Sequence, residues 1–525
     1  MESLMPKQPN FLFLITDQHR ADYLGCAGHP VLKTPHIDAI AAAGARCDNF
    51  HVATPVCMPN RAALLTGRYP SVNGLRYNGC ELSYQASTFV EALRLSGYRT
   101  AAIGKSHVQP MTGIPAEARV DPGALGPLKE AWKGDGSDYD NEDPARYDGP
   151  DYHAFPKPYY GYDHVDMVTL HGDQCGGHYL QWLRRQSPLA DAWRDPKNQL
   201  PHDYVCPQAI RTSMPEAFYP TSYIRDRALD WLDGVKGDDA PFFSFVSFPD
   251  PHHPFTPPGK YWDMYSPADF HVPPGYAAHQ NPTPPMRFLH EQWKAGKRFD
   301  QAQEAFMADD REIREAMALT CGMIAMIDDA IGAIVAKLKA IGRYDNTVIV
   351  FNADHGDYLG DCSLMLKGAI MRRSINNVPF IWSDPADRTA RLSNALSSTV
   401  DLAPTILERA GVKPYFGIQG KSLLGALAGA TGVRDRLVIE HEDTQRRMNF
   451  PRAAVVRTLL TATHRLTVYR GEEWGELYDL RQDPGELRNL WDDPANAGEK
   501  ARLIDALMRE MLENVDESPR ARRRA

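Results

Sequence analysis

Short apolar runs alternate along the chain with longer stretches of helical periodicity. The apolar runs are bounded by polar or turn residues, which is typical of strands buried on both faces of a parallel sheet. Helical patterns precede the second, third and fourth runs. This alternation predicts an open α/β sheet with helices on both faces. The predicted strands are 11–16, 100–103, 242–248, 347–352 and 378–382, and the predicted helices are 88–96, 215–235 and 310–341.

The pattern changes after about residue 430, where period-2 strands at 436–440, 453–457, 464–469 and 477–480 precede a closing helix at 497–514. We therefore predict two domains. Residues 1–430 form a large mixed, mostly parallel sheet sandwiched by helices, and residues 431–525 form a smaller α+β domain with an antiparallel sheet.

Two long stretches, 110–215 and 256–300, interrupt the alternation and are rich in proline. Segments of this kind are either solvated surface loops or lids that face a substrate, and both interpretations stay open. The acidic part, 134–151, favours a cationic or neutral substrate if it is a lid, but a solvated loop is the simpler expectation.

The composition excludes several classes of protein. The 525 residues are 43% hydrophobic and 24% charged, which excludes a disordered, collagen-like or disulfide-scaffold protein. A net charge of -9 gives no reason to expect nucleic acid as a partner. We find neither an apolar run long enough to span a bilayer nor a cleavable leader, and the eight cysteines form no CxxC pair. We expect a cytoplasmic protein with reduced thiols and no membrane partner.

Polar side chains follow four of the predicted strands at their carboxyl ends, where open α/β sheets form their sites. Carboxylates with one imidazole suit a divalent cation, whereas lysines and histidines suit an oxyanion. The sequence therefore predicts a combined cation and anion site at one edge of the sheet. These side chains are Asp17 and Gln18, Lys105 and His107, His252 and His253, and Asp354 and His355.

A further candidate is Cys57. Pro59 and Gly67 predict a short helix that begins just after this cysteine. The thiol then lies at the positive end of a helix dipole, where anions bind and thiolate is favoured. A buried free cysteine is the structural alternative. A protein-tyrosine-phosphatase loop is excluded, because Ala63 stands where that loop needs arginine.

Five motifs, in order over about residues 8–495, resemble the sulfatase family, and the resemblance implies an alkaline-phosphatase-like fold. Asn60 and Ser106 depart from the usual signatures. Gln18 and His355 resemble the bacterial branch that contains phosphonate monoester hydrolases and choline sulfatases, whereas Lys105 and His107 are the sulfate-type pair. The motifs are Cys57-x-Pro59-x-Arg61 with Leu64-Leu65-Thr66-Gly67, Gly97-Tyr98 with Gly104-Lys105-x-His107, Asp354-His355-Gly356, Lys367, and the closing segment 475–480 with Asp483-Pro484.

The resemblance implies that a formylglycine-generating enzyme converts Cys57 to formylglycine. In the family, one hydroxyl of the aldehyde hydrate attacks sulfur and expels the alcohol, and deprotonation of the other hydroxyl releases sulfate. The implied ligands of one divalent metal ion are Asp17, Asp354, His355 and residue 57, with Gln18 as a further ligand or hydrogen-bond donor. The imidazole favours Mn²⁺, and Ca²⁺, which normally takes oxygen ligands, stays open.

The remaining implied roles concern the substrate. Arg61 fixes the hydrate, Lys105 and Lys367 neutralise the ester oxygens, and Asn78 contacts the substrate. His252 protonates the leaving alcohol, with His253 as its competitor. His107 deprotonates the second hydroxyl, and Asp357 and Asp361 are expected to be structural.

Hydrolysis of small sulfate esters, of the arylsulfatase type, is the leading hypothesis. Its alternative on the same scaffold is a phosphonate monoester or phosphodiester hydrolase. The alternative from another class is a non-catalytic binding protein with an unmodified Cys57. Related bacterial enzymes lead us to expect a homodimer or homotetramer.

Overall fold

The strands form one nine-stranded sheet, two short pairs and a separate four-stranded sheet. The computed structural model describes residues 8–116, 122–149, 151–297 and 304–524. The strands are β1 (Asn10–Thr16), β2 (Ala45–Cys47), β3 (Phe50–His51), β4 (Arg99–Gly104), β5 (His164–Thr169), β6 (Gly176–Gly177), β7 (Phe242–Phe248), β8 (Phe306–Met307), β9 (Thr347–Ala353), β10 (Leu364–Met365), β11 (Phe380–Ser383), β12 (Arg391–Ser393), β13 (Ser397–Ser398), β14 (Arg436–Glu442), β15 (Val455–Thr461), β16 (His464–Tyr469) and β17 (Gly475–Asp479).

Helices cover the large sheet and close the chain. The α-helices are α1 (Pro35–Ala42), α2 (Cys57–Thr66), α3 (Pro70–Asn73), α4 (Phe89–Leu95), α5 (His178–Gln186), α6 (Ala190–Arg194), α7 (Pro220–Gly234), α8 (Pro284–Lys294), α9 (Asp310–Ala340), α10 (Arg373–Asn376), α11 (Leu402–Arg409), α12 (Leu424–Leu427) and α13 (Ala497–Glu513).

The nine-stranded sheet has the order β12-β2-β11-β9-β1-β7-β4-β5-β6. The five strands from β9 to β5 run parallel to one another, whereas β11 and β6 are antiparallel to them. The predicted mixed, mostly parallel sheet is therefore confirmed. The strand predicted at 378–382 begins at Phe380 and is one of the antiparallel strands.

Side chains of β1 alternate between two hydrophobic cores, one on each face of the sheet. Phe11, Phe13 and Ile15 pack into one core, and Leu12 and Leu14 pack into the other together with α7 and α9. Helix α9 is long and apolar enough to cross a bilayer. However, 78% of its most apolar 18-residue segment is buried inside the protein. It is therefore a core helix that supports the sheet.

The stretch 110–215 contributes more structure than the pattern predicted. It contains β5, which extends the sheet beyond β4, and the helices α5 and α6. Within its acidic part, Glu142 is fully buried and accepts hydrogen bonds from two backbone N–H groups, so this part is not simply a solvated loop. The stretch 256–300 contains α8, and the helix predicted from 215 begins at Pro220.

The C-terminal strands β14 to β17 form the predicted antiparallel sheet. Leu437, Ile439 and Val456 on one face belong to the same core as β1, and Leu459 and Leu466 on the other face pack against α13. The C-terminal sheet therefore shares a core with the large sheet. The boundary at residue 430 stays a prediction.

Candidate active site

The sheet register brings the predicted carboxylates together. Thr16, the last residue of β1, pairs with Ala353 on one side and Phe248 on the other. The next residues along β1 and β9 are Asp17 and Asp354, and both are fully buried. Because β4 pairs with β7, the segment after Gly104 reaches the same edge and brings Lys105 beside Asp17.

Cys57 is the first residue of α2, and every residue of that helix is buried. Its Sγ lies 3.0 Å from His355 Nε2 and 3.8 Å from Asp17 Oδ1. Burial and Asp17 raise the pKa of the thiol, but Lys367, His355 and Lys105 outweigh them and hold it below its ordinary value. Position 57 therefore lies among the predicted carboxylates, as the motif requires.

Four potential metal ligands meet at this point. One potential ligand atom from each of Asp17, Cys57, Asp354 and His355 lies within 4.8 Å of the others, and all four residues are buried. His355 Nδ1 donates to the Gly356 carbonyl oxygen (2.9 Å), which turns Nε2 toward the cluster. Burial and Lys367 lower the pKa of His355, but the acidic groups of the cluster outweigh them and raise it to about 10. Two carboxylates and an imidazole oriented in this way are a donor set that fits a divalent cation, which would take the place of the Nε2 proton.

Gln18 lies beside this cluster but its side chain is engaged elsewhere. Its Oε1 accepts from Lys367 Nζ (2.8 Å), and its Nε2 contacts Asp357 Oδ2 (2.5 Å) and His253 Nδ1 (3.0 Å). The backbone N–H of Gln18 donates to Asp354 Oδ1 (3.2 Å). These contacts fit a hydrogen-bonding role, and its role as a ligand stays a prediction.

Arg61, a residue of α2, contacts both carboxylates. Its Nε donates to Asp354 Oδ2 (2.7 Å), and its Nη2 lies 3.5 Å from Asp17 Oδ2. Its Nη1 donates to the Lys105 carbonyl oxygen and to Ser247 Oγ. Arg61 thereby ties β1, β4, β7 and β9 together behind position 57. Asn60, which departs from the usual signature, donates to the Asp354 carbonyl oxygen (2.6 Å) and so helps to hold the end of β9 beside α2.

Two buried lysines supply positive charge next to position 57. Lys105 Nζ lies 2.5 Å from Asp17 Oδ2, and Lys367 Nζ lies 2.8 Å from His252 Nε2. Lys105 and His252, together with His355, hold the pKa of Asp17 well below its ordinary value despite its burial. The aspartate is therefore ionised and ready to bind a cation.

The imidazoles of His252 and His107 are both neutral in this environment. His252 Nδ1 donates to the His253 carbonyl oxygen (2.6 Å), so its Nε2 is the acceptor for Lys367. Burial and neighbouring histidines hold the pKa of His252 well below its ordinary value, and burial and Lys105 do the same for His107. The ring of His253 contacts Gln18, which favours His252 over His253 as the residue that serves a leaving group.

His171 is a functional candidate that the sequence analysis missed. It follows β5, and its ring stacks on His252 with centroids 3.5 Å apart and an interplanar angle of 9°. Its Nε2 lies 2.6 Å from Lys105 Nζ. The β-branched and apolar run before Leu170 could have marked the strand, but its place inside a proline-rich stretch obscured it.

A cavity of about 470 Å³ opens over position 57. Cys57, Asn78, His107, His171 and Lys367 line its inner end. Asn78 also accepts a hydrogen bond from the Met58 backbone N–H near the start of α2 (3.3 Å). The outer walls come from residues 110–116 and from residues 441–448, at the end of β14 and just after it. Part of the first irregular stretch therefore faces the cavity.

Known proteins resemble this chain over most of its length. The family model described as Sulfatase matches residues 9–142 and 155–412, and that described as N-sulphoglucosamine sulphohydrolase, C-terminal, matches residues 363–515. The chain is 29% identical to the uncharacterized sulfatase YidJ of Escherichia coli (strain K12), covering 96% of this chain and 87% of YidJ. It is 25% identical to an arylsulfatase of Clostridium perfringens (strain 13 / Type A), covering 97% and 95% of the two chains.

Among solved structures, the phosphonate monoester hydrolase of Agrobacterium radiobacter superposes with a TM-score of 0.77 at 24% identity. The match covers 98% of this chain and 97% of that chain, and it shows the alkaline-phosphatase-like fold. The family model covers well over half of the chain, and the residues of its signatures meet at one edge of the sheet. The chain belongs to the sulfatase family and is a sulfuric ester hydrolase.

Proposed function

We propose that this protein hydrolyses small sulfate monoesters, of the arylsulfatase type, with a formylglycine formed from Cys57 and one divalent metal ion. The observation that carries the proposal is the buried cluster of Asp17, Cys57, Asp354 and His355. Its Cys57 lines the cavity, and two lysines lie beside the cluster. A formylglycine-generating enzyme is the maturation partner in this proposal, and a cytoplasmic homodimer or homotetramer is the proposed form.

The divalent cation and the formylglycine supply different parts of the chemistry. When bound by Asp17, Asp354, His355 and residue 57, a divalent cation supplies Lewis acidity and lowers the pKa of a coordinated hydroxyl. The hydrated aldehyde at position 57 supplies a nucleophilic hydroxyl and a second hydroxyl, whose deprotonation releases sulfate. Mn²⁺ and Ca²⁺ both remain candidates.

The lysines stabilise negative charge on the substrate. Asp17 holds the Lys105 ammonium, and Gln18 and His252 hold the Lys367 ammonium. Their ammonium groups are therefore oriented before substrate binds. Preorganised charges of this kind stabilise a transition state by about 3 kcal/mol each.

His107 and His252 are the proposed base and acid. His107 has a low pKa, and its Nδ1 is enclosed and has no hydrogen-bond partner among the described residues. Its backbone N–H is held by Glu142 (2.8 Å), which fixes the ring at the cavity wall. A neutral, fixed imidazole suits the base that deprotonates the second hydroxyl. His252 is the proposed acid for the leaving alcohol. Its own N–H is bonded to the His253 carbonyl oxygen, so the proton that it passes on would come from the Lys367 ammonium, which donates to His252 Nε2.

A phosphonate monoester or phosphodiester hydrolase on the same scaffold is the second candidate. The structural likeness to phosphonate monoester hydrolases and the pair of Gln18 and His355 favour it. Lys105 and His107, the sulfate-type pair, favour the sulfatase.

A comparison of substrates tests the proposal. We expect kcat/KM for 4-nitrophenyl sulfate to exceed the values for an aryl phosphate diester and an aryl phosphonate monoester. The Cys57→Ala variant serves as the control and should show no turnover of any of them. A preference of about a thousandfold for the phosphonate would contradict the ranking.

A further inference from the structure

His171 lies at the same sheet edge as the proposed catalytic groups. Strand β5 pairs in parallel with β4, with Met167 opposite Gly104. After Leu170, which has a positive φ of 61°, the chain turns and brings His171 beside Lys105. The side chain is buried apart from a small part that lines the cavity.

The hydrogen-bond partners of His171 fix its tautomer. Lys105 Nζ carries only donors, so His171 Nε2 accepts from it at 2.6 Å, and the proton of the neutral ring is on Nδ1. Nδ1 has no hydrogen-bond partner within the described part of the chain and is not an enclosed polar atom. Burial and Lys105 hold the pKa of His171 well below its ordinary value, which agrees with a neutral ring.

His171 also covers one face of His252. The rings are nearly parallel and 3.5 Å apart, and His252 Nε2 accepts from Lys367. His171 therefore contacts the proposed acid for the leaving group and one of the two lysines. Asp17 Oδ2 is the other partner of Lys105, at 2.5 Å. Without an acceptor at position 171, the ammonium would have Asp17 as its one partner among these groups.

We propose that His171 is a further residue of the ester-binding site, with a separate role for each ring nitrogen. Nε2 positions the Lys105 ammonium toward the substrate, and Nδ1–H donates a hydrogen bond to an ester oxygen on the leaving-group side of the cavity. This inference rests on the proposed sulfatase activity.

Two substitutions separate the roles. His171→Gln keeps an acceptor at about the position of Nε2 and loses the donor at Nδ1. His171→Asn keeps a donor at about the position of Nδ1 and does not reach Lys105. His171→Ala removes both, and His164→Ala, at an exposed position at the start of β5, is the matched control.

We expect His171→Ala to lower kcat/KM for 4-nitrophenyl sulfate by about a hundredfold. His171→Gln should restore KM and keep a reduced kcat, with a larger loss for phenyl sulfate, whose leaving group is poorer. His171→Asn should keep a raised KM. A change of less than about threefold in His171→Ala, with wild-type turnover intact, would overturn this inference and leave the proposed function standing.

A binding measurement gives a readout that does not need turnover. In the Cys57→Ala background, calorimetry should show that His171→Ala weakens the binding of 4-nitrophenyl sulfate about tenfold and that His171→Gln restores it. If the Ala, Gln and Asn variants all lost binding affinity only to the extent that their thermal midpoints fell, His171 would have a merely structural role and the inference would be overturned. Absence of sulfate turnover in the modified wild-type protein would overturn the proposed function and, with it, this inference.

Discussion

Asp354 is held by its neighbours on every polar atom. Its two carboxylate oxygens accept from Arg61 Nε and from the Gln18 N–H, its carbonyl oxygen accepts from Asn60, and its own N–H donates to the Thr16 carbonyl oxygen. A carboxylate fixed in this way enters a metal site with little reorganisation, which is the condition for a precise ligand.

We predict that Asp354→Asn loses the bound metal and lowers kcat by at least about a hundredfold. The amide is uncharged, and its NH₂ group would have to face a donor, either Arg61 Nε or the Gln18 N–H. Metal content of the purified protein, measured by mass spectrometry of the elements, checks the loss. Asp387→Asn, at an exposed turn, is the control and should keep both metal and activity. Full metal occupancy in Asp354→Asn would contradict the assignment of this ligand.

His51 makes the protein sensitive to acid. Its Nε2 bonds Asn49 Oδ1 (2.8 Å), and its enclosed Nδ1 has no hydrogen-bond partner among the described residues. Burial, with a smaller effect of Arg373, lowers the pKa of His51 to about 3. Below pH 6.5 the unfolded chain therefore binds a proton at His51 that the folded protein does not bind. We expect the free energy of unfolding to fall as the pH falls.

We predict that the free energy of unfolding of the wild type, relative to His51→Gln, falls by about 2 kcal/mol between pH 6.5 and pH 5. Urea unfolding followed by tryptophan fluorescence at the two pH values measures this difference. A difference between wild type and variant that does not change with pH would show that His51 titrates normally in the folded protein.

The residues of the site differ in how well the sequence predicts them. Asp17 and Asp354 could be predicted because each directly follows an apolar run, and such strand ends meet at one edge. His171 was missed because its strand lies in a proline-rich stretch and carries Asp166 among its apolar and β-branched residues. Glu142 was missed because an acidic segment usually indicates solvent exposure, whereas here its carboxylate binds the backbone of His107 and Val108.

At the scale of elements, α9 supports the centre of the sheet and begins with a capping box. The Asp309 side chain accepts from the N–H groups of Arg311 and Glu312, and the Glu312 side chain accepts from the Asp309 N–H. The first turn of a helix leaves such donors without partners inside the helix, so the cap stabilises it.

Removal of this cap should destabilise the protein. We predict that Asp309→Ala lowers the free energy of unfolding by about 1 kcal/mol, whereas Asp309→Ser, which keeps a side-chain acceptor, changes it by a few tenths at most. Urea unfolding midpoints of the three proteins provide the measurement. Equal midpoints for the Ala and Ser variants would contradict a capping role.

The predicted strands were accurate where both faces of the strand are buried. Strands β1, β7 and β9 are buried along their whole length, so their apolar runs are continuous. Strands β2 and β12 escaped prediction because they have three residues each and mix polar with apolar side chains. Of the two, β12 is the edge strand of the sheet. Strand β2 pairs with β11 on one side and β12 on the other, and the local sequence pattern does not contain such long-range contacts.

At the scale of the whole molecule, the C-terminal sheet is part of the active-site architecture. Residues 441–448 form one wall of the cavity. A buried network anchors the sheet, in which Arg465 donates to Glu476 (2.6 Å) and Glu486 (2.5 Å). Glu486 in turn accepts from the Arg373 N–H at the start of α10 (3.0 Å), soon after Lys367 in the chain. This network therefore links the C-terminal sheet to the segment that carries Lys367, one of the two lysines of the proposed site.

We predict that Glu476→Ala lowers the free energy of unfolding by about 3 kcal/mol, because Arg465 keeps its buried charge with one partner fewer. Chemical unfolding measures the loss, with Glu513→Ala, at the exposed end of α13, as the control. We also expect a lower kcat/KM for aryl sulfates at temperatures where the variant is folded. A variant as stable as the wild type would show that the network contributes little.

Mass spectrometry of the peptide that contains residue 57 tests the central claim most directly. The protein should come from its native host, or from cells that also express a formylglycine-generating enzyme, and its sulfatase activity should be measured on the same sample. The account predicts that an aldehyde replaces the CH₂–SH group and that turnover rises with the modified fraction. An intact thiol in every molecule, in a sample without turnover, would contradict it and favour a binding protein.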